Sequence, residues 1–218
     1  MPSRTPAELS AATPALTTDL QQLAADIVAR ATRAGATDAE VVIREGDEFS
    51  ALVRLGQVET LKESGSRGIG LRVFLAQHTA STSSSDFSPA GIEHLVNGAL
   101  ALARVTSEDP FAGLPETTAF GKLPGDLDLY HEDVYSLPGA ERIDYARRAE
   151  AAAMHVDTRI QNSDGGSFDA ATGRKVLANS RGFVGQSERS YCSLSAVPIA
   201  HSENGEMQRD YWYSAART

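Results

Sequence analysis

The side chains that most often hold a catalytic zinc ion are few and scattered in this 218-residue sequence. The five histidines are His78, His94, His131, His155 and His201, with at least 16 positions from one to the next. A zinc site on one helix usually has two histidines four or five positions apart and a glutamate beside the first. His131-Glu132 begins such a motif, but Tyr135 stands where the second histidine is needed. We therefore expect no zinc or other cofactor in this chain.

Candidate nucleophiles also lack a recognisable activating group. The segment TASTSSSD, residues 79–86, is rich in hydroxyl groups, but no GxSxG turn surrounds a serine. Such an alternating Ser/Thr stretch is typical of the solvent face of a strand. Cys192, the only cysteine, stands between Tyr191 and Ser193 in a predicted strand, and we expect it to be buried and unreactive. The sequence thus identifies no catalytic, cofactor-binding or metal-binding residue.

Two glycine-containing segments resemble anion-binding loops only superficially. Gly68-Ile69-Gly70 is predicted at the start of a strand, and no GxGxxG or GxxxxGK[ST] pattern follows it. The segment NSDGGS, residues 162–167, has amides that could bind an anion, but a hairpin turn explains it equally well. We expect close backbone packing at the first segment and a turn at the second.

Composition limits the class of partner. The chain carries 29 acidic and 20 basic residues, a formal net charge of −9, and so repels the phosphates of nucleic acids. A single cysteine excludes an internal disulfide and fits a reducing compartment. No secretory signal and no apolar run of membrane-spanning length is present. We expect a cytoplasmic protein without nucleic-acid or membrane partners.

Three helices are predicted. The first has an apolar stripe, a capping box from Thr18 to Gln21, and Gly35 as its stop. Its stripe comprises Leu16, Leu20, Leu23, Ile27 and Ala31. The second begins with Ser88 as N-cap and Pro89 at its first position. The third covers about residues 138–157.

The remaining ordered sequence predicts antiparallel hairpins, separated by glycine-containing pairs. The predicted breaks are Gly46-Asp47, Gly56-Gln57, Asp164-Gly165, Thr172-Gly173, Arg181-Gly182 and Asn204-Gly205. Strands grouped between helices, without regular alternation, indicate an α+β fold with an antiparallel meander packed against helices.

We expect three regions along the chain. Residues 1–15 are predicted to be flexible, residues 16–126 to form an α+β domain, and residues 127–218 to begin a second, β-rich region. The aromatic residues Tyr211, Trp212 and Tyr213 fall in a predicted strand close to the last residue. Because domains seldom stop in mid-strand, we expect the second region to be truncated.

Several longer segments, in order, resemble a known family. They include GQVETLKESGSRGIGLRVF (residues 56–74) and RIQNSDGGSF (residues 159–168), and also ARVTSEDPFAGLP (residues 103–115) and MQRDYWYSAAR (residues 207–217). From about residue 20 to the end, the chain resembles the N-terminal half of the TldD/PmbA proteins, called modulators of DNA gyrase. The last two segments are similar to the PmbA (TldE) branch.

The resemblance implies a cytoplasmic bacterial subunit of a paired metallopeptidase that acts on unfolded or extended peptides. In such pairs the zinc-binding HExxxH helix and a cysteine ligand belong to the TldD subunit. Neither motif is present here, so the resemblance implies zinc in the partner and a non-catalytic role for this chain.

The leading hypothesis is therefore a PmbA-like component that needs a TldD-like subunit, with a homodimer as another possible assembly. An alternative is a stand-alone module that captures extended peptides by adding them as a strand to a sheet edge. An autonomous hydrolase using a serine or Cys192 ranks last. For peptide contacts, the segments to consider are Thr79 to Ser85 and Tyr211 to Tyr213.

Overall fold

The fold, taken from a computed structural model, is described for residues 19–121 and 127–217. The elements, in chain order, are α1 (Leu20–Arg33), β1 (Asp38–Arg54), β2 (Gln57–Leu75), β3 (His78–Ser84), α2 (Pro89–Ala103), α3 (Asp133–Ser136), α4 (Gly139–Met154), β4 (Ile160–Asn179), β5 (Val184–His201), β6 (Met207–Arg209) and β7 (Trp212–Ala216). A 3₁₀ turn, Thr117–Ala119, lies between α2 and α3. The predicted α+β class is confirmed.

The strands form one antiparallel sheet. Its order is β3-β2-β1-β4-β5, and both β6 and β7 pair with β5. The central pair, β1 with β4, runs without a register shift from Glu40 opposite Asn179 to Val53 opposite Gly166. The sheet is therefore continuous through both regions expected from the sequence, and the boundary between residues 126 and 127 stays a prediction.

The helix ends show how local sequence sets the elements. The Asp19 carboxylate caps α1: it accepts bonds from the amides of Gln21 and Gln22 at 3.0 and 3.2 Å. The N-cap is therefore one residue later than the capping-box prediction placed it, because this carboxylate takes the free amides. Gly35 follows the helix with φ of +112°, as expected of a stop. Leu16 and Thr18 lie outside the described residues.

The other two helix predictions are confirmed. Ser88 Oγ accepts a hydrogen bond from the amide of Gly91 at 3.1 Å, and Pro89 occupies the first turn of α2. The third predicted helix corresponds to α4, which starts one residue later and ends three residues earlier than expected.

Half of the predicted strand breaks are real turns. Gly56, Gly182 and Gly205 have φ of +75°, +88° and +81°, a backbone conformation that side chains disfavour. They connect β1 to β2, β4 to β5, and β5 to β6.

The other three predicted breaks are wrong, because those glycines lie inside long strands. Gly46 is within β1, and Gly165 and Gly173 are within β4. A Cβ on Gly46 would lie 2.3 Å from the carbonyl oxygen of Thr172, so glycine here permits close strand approach rather than a turn. Gly68-Ile69-Gly70 likewise lies inside β2, not at its start.

The expected hairpin at residues 162–167 is also absent, since this segment belongs to β4. Its register with β5 shifts between Ser163 and Gly165, which marks a bulge. The amide of Gly165 donates to Ser163 Oγ at 2.8 Å inside the protein. That amide is consequently not available to an anion.

All four helices pack on one face of the sheet, which we call the helix-covered face. Side chains alternate between faces along a strand, and the buried residues of β1 occupy odd positions only. Ala39 to Ile43 pack with α1 and α2 in one hydrophobic cluster, and Phe49 to Val53 pack with α3 and α4 in a second. Among the described residues, no α-helix packs on the opposite face.

The second cluster is fixed by close contact between α4 and the sheet. A Cβ on Gly166 would lie 2.3 Å from the carbonyl oxygen of Ala146, so only glycine allows α4 to approach this strand. The buried Glu150 carboxylate accepts bonds from the amides of Leu55 and Gly56, at 2.8 and 2.9 Å, and thereby holds the β1–β2 turn.

Candidate functional site

The structure does not bring the histidines together. His78 begins β3, with Nδ1 2.8 Å from the carbonyl oxygen of Thr106, and His131 lies in the loop before α3. His155 caps α4 and His201 ends β5. Within residues 19–121 and 127–217, no group of three or more His, Cys, Asp or Glu side chains is placed to hold a metal ion. These residues do not fit the zinc site of a metallopeptidase.

The Ser/Thr-rich segment forms the edge strand β3, partly covered by α2. Thr82 Oγ1 donates to the carbonyl oxygen of Leu95 in that helix at 3.2 Å. The Thr82 hydroxyl therefore joins β3 to α2, and peptide contact at Thr79 to Ser85 stays a prediction.

Cys192 is half-buried in β5, not fully buried as predicted. Partial burial, helped by the nearby Asp133 carboxylate, raises the pKa of its thiol above the ordinary value. The raised pKa favours the unreactive thiol, consistent with the expectation of low reactivity. The thiol lines a groove of about 380 Å³ between α3, α4 and the β5–β7 pair, with Phe168 and Leu194 among its walls.

The aromatic end of the sequence forms the other edge of the sheet. β6 and β7 pair with β5 in one continuous register, from His201 opposite Met207 to Cys192 opposite Ala216. The ladder is interrupted between them because Pro198 has no N–H to donate, although its carbonyl accepts the amide of Asp210 at 3.3 Å.

Large side chains on this edge are unusually exposed. Tyr211, Trp212 and Tyr213 are 67%, 80% and 60% exposed. The prediction that they lie in a strand is confirmed for Trp212 and Tyr213, whereas Tyr211 precedes β7 by one residue. In the described chain β7 pairs with β5 alone, so its second side has free backbone groups. We call residues 211–216 the aromatic edge.

A second stretch of free sheet edge, on β2, differs from the aromatic edge in its charge. Residues 57–68 of β2 extend beyond β3 and have no second partner strand in the described chain. This stretch carries charges at Glu59, Lys62, Glu63 and Arg67, which oppose pairing with other strands. Residues 211–216, YWYSAA, have no charged side chain. The two edges are therefore chemically distinct, and of these two the aromatic edge suits strand pairing.

A row of alternating charges crosses the helix-covered face between the two hydrophobic clusters. Arg67, Glu45, Arg174 and Glu188 stand opposite one another on β2, β1, β4 and β5. Arg174 Nε lies 3.1 Å from Glu45 Oε1, and a cleft of about 530 Å³ opens over the row. Opposite charges on neighbouring strands stabilise a sheet. This charge row escaped the sequence analysis because it exists only once the strand register is known.

Two family models match consecutive parts of the chain. A family model described as PmbA/TldA metallopeptidase domain 1 matches residues 39–103. A second, described as PmbA/TldA metallopeptidase central domain, matches residues 132–217. The chain belongs to the TldD/PmbA family.

Curated relatives come from the PmbA branch. The chain is 39% identical over 183 residues to the metalloprotease PmbA of Escherichia coli O157:H7, covering 82% of this chain and 39% of that protein. It is 35% identical over 199 residues to the PmbA homolog of Haemophilus influenzae, covering 91% and 43%. The chain thus spans about two fifths of the length of these relatives.

Solved structures share the fold. A crystal structure from Bacteroides thetaiotaomicron, named as a modulator of DNA gyrase, gives a TM-score of 0.83 at 22% identity and covers 92% of this chain and 46% of that one. TldE from Thermococcus kodakarensis gives 0.77 at 12% identity, covering 90% and 43%. None of the described helices is long and apolar enough to cross a membrane.

Proposed function

We propose that the chain is a PmbA/TldE-type component of a two-subunit metallopeptidase, and that its TldD-type partner supplies the zinc and the catalytic groups. The observation that carries the proposal is the match of both domains to a metallopeptidase family in a chain whose described residues offer no zinc ligand set. In this role the chain provides one wall of the peptide-binding space and no catalytic residue. The single cysteine supports a reducing, cytoplasmic location.

Mixing the purified chain with a zinc-loaded TldD-type subunit tests this role. We expect a complex on size-exclusion chromatography, and cleavage of an unstructured peptide at a rate that rises with the amount of this chain. The chain alone and the partner alone serve as controls. A mixture that forms no complex and cleaves no faster than the partner alone would contradict the proposal.

A second candidate function is capture of extended peptides by strand addition, and the uncharged aromatic edge favours it. The bond from the Asp210 amide to Pro198 sets the alternation along this edge. It directs the N–H groups of Tyr213 and Ala215 away from β5, toward an incoming strand. The apolar groove beside Leu194 would then receive a bulky side chain from that strand.

Replacing Ala215 with proline tests strand capture, because it removes an outward N–H and leaves the bonds to β5 in place. We expect Ala215→Pro to abolish binding of a fluorescein-labelled Val-Lys-Val-Lys-Val-Lys peptide, while Ala215→Ser binds it as the parent does. Equal binding by the proline variant, with an unchanged circular dichroism spectrum, would exclude this edge as the capture site.

A further inference from the structure

Over the same stretch of strands, one face of the sheet places opposite charges next to each other and the other face places like charges next to each other. On the helix-covered face, the charge row alternates in sign, and Arg174 forms an ion pair with Glu45. The neighbouring cross-strand pair, one residue away from Glu45 and Arg174, projects from the opposite face. In that pair, Arg44 on β1 stands directly opposite Lys175 on β4. Like charges directly opposite each other destabilise a sheet. An anion bound between these two exposed side chains would remove this repulsion.

A third cation completes the cluster. Arg189 on β5 pairs with Gly173, two positions along β4 from Lys175, and projects from the same face. The side chains of Arg44, Lys175 and Arg189 make no hydrogen bond or ion pair with any other residue in the part of the chain that the structure describes. Their clustering is notable in a chain whose formal net charge is −9. We call these three residues the cationic cluster.

A groove of about 600 Å³ runs past Arg44 and Arg189. Its floor is formed by Gly46 and Gly173, which carry no side chain, and by Ser66. Arg189 Nε lies only 3.7 Å from the position that a Cβ on Gly173 would take. A ligand can therefore approach the sheet backbone closely between the two guanidinium groups.

The groove walls narrow the choice of ligand. Tyr191 and Arg217 line one side. The lining includes two glutamates, Glu48 and Glu45, of which Glu45 pairs with Arg174 on the helix-covered face. Arg44 and Arg189 stand two strands and two residues apart, about 12 Å between Cα atoms. Side chains four residues apart in an extended strand lie on the same face and are separated by about 13 Å, so two carboxylates at this spacing match the two arginines. Guanidinium groups bind carboxylates through paired hydrogen bonds.

We propose that this groove binds an extended acidic polypeptide segment, whose side-chain carboxylates pair with the cationic cluster. Nucleic acid is disfavoured because three cations cannot offset the repulsion between the net negative charge of the protein and a continuous polyphosphate, whereas a peptide segment needs only two carboxylates to pair with the cluster. The inference goes beyond the proposed function, since it concerns the opposite face of the sheet from the apolar groove and requires no second subunit.

Fluorescence anisotropy with labelled, end-capped hexaglutamate tests the proposal on the whole chain. We expect saturable binding that weakens as salt rises, because the contacts are between exposed charges. The variant Arg44→Gln/Arg189→Gln should bind about tenfold more weakly, the effect of losing charge-assisted hydrogen bonds. The control Arg30→Gln/Arg104→Gln makes the same change in net charge at α1 and the end of α2, and should stay within about twofold of the parent.

Further probes identify the group that is bound. Hexaglutamine with a free C-terminal carboxylate should not bind; if it binds as well as capped hexaglutamate, the site recognises a chain end and the proposal is wrong. Tighter binding of a single-stranded oligonucleotide would also overturn it. So would absence of hexaglutamate binding at low salt, or equal losses in the two double variants. Melting curves of both variants check that each is folded.

Discussion

Replacing Glu150 with alanine removes the carboxylate that joins α4 to the β1–β2 turn. The side chain is buried, with 3% of its surface exposed, and accepts two backbone amides at 2.8 and 2.9 Å. A hydrogen bond to a charged group contributes about 1.5–3 kcal/mol to stability. Leu55 and Gly56 are exposed, so water satisfies part of their lost bonding. The expected loss is therefore about 2–3 kcal/mol in the free energy of unfolding, less than the sum of two full bonds.

For a chain of this size, that loss corresponds to a fall of roughly 4–12 °C in Tm. Thermal unfolding followed by circular dichroism measures it. Glu150→Gln keeps the shape of the side chain but replaces one acceptor oxygen with an NH₂ group. It should therefore lose about half as much free energy of unfolding. The matched control is Glu141→Gln in the exposed first turn of the same helix, with an expected change below about 0.5 kcal/mol. Equal Tm values for the Glu150→Ala and Glu141→Gln variants would refute the reasoning.

Three further outcomes follow from the packing and the titrating groups. Gly166→Ala should lower the free energy of unfolding by about 3 kcal/mol in chemical denaturation, because its Cβ meets the α4 backbone. Gly98→Ala, in open space within α2, should raise it by up to about 1 kcal/mol. Similar effects of the two substitutions would refute the close packing of α4 on the sheet. Cys192 should react with iodoacetamide at pH 8 more slowly than free cysteine and speed up in urea, and an unchanged rate would contradict its burial. The side-chain hydrogen bond from Arg159 lowers the pKa of Asp157 to about 2, so its stabilising effect holds above the ordinary pKa and disappears as pH falls through about 2. An NMR titration should show that midpoint, and Arg159→Gln should return it toward 3.8; coincident midpoints would argue against the bond.

The sequence predicts the helices better than the strands. Ser88 with Pro89, and Gly35 after an apolar stripe, are local signals, and local hydrogen bonds decide where helices begin and end. Glycine in a strand is ambiguous, because it also serves close backbone approach. Gly46 and Gly173 therefore resembled turns in the sequence, although both lie inside long strands.

Features that depend on register were beyond sequence reasoning. Glu45 and Arg174 are 129 positions apart and meet only because β1 pairs with β4. The same pairing sets Arg44 against Lys175 on the other face. The aromatic edge was noticed in the sequence from Tyr211 to Tyr213, but its lack of charge gains meaning only beside the charged free stretch of β2. Family resemblance, carried by whole segments rather than single motifs, was the part of function that the sequence could indicate.

Zinc content of the isolated chain tests the central claim most directly. The chain should be purified without chelators, equilibrated with excess zinc and passed through a desalting column, and its metal then measured by mass spectrometry together with its peptidase activity. If the partner supplies the zinc, we expect the isolated chain to retain far less than one zinc per chain and to cleave no peptide. One retained zinc per chain, with cleavage that a chelator abolishes, would show that the chain forms its own catalytic centre and would contradict the account.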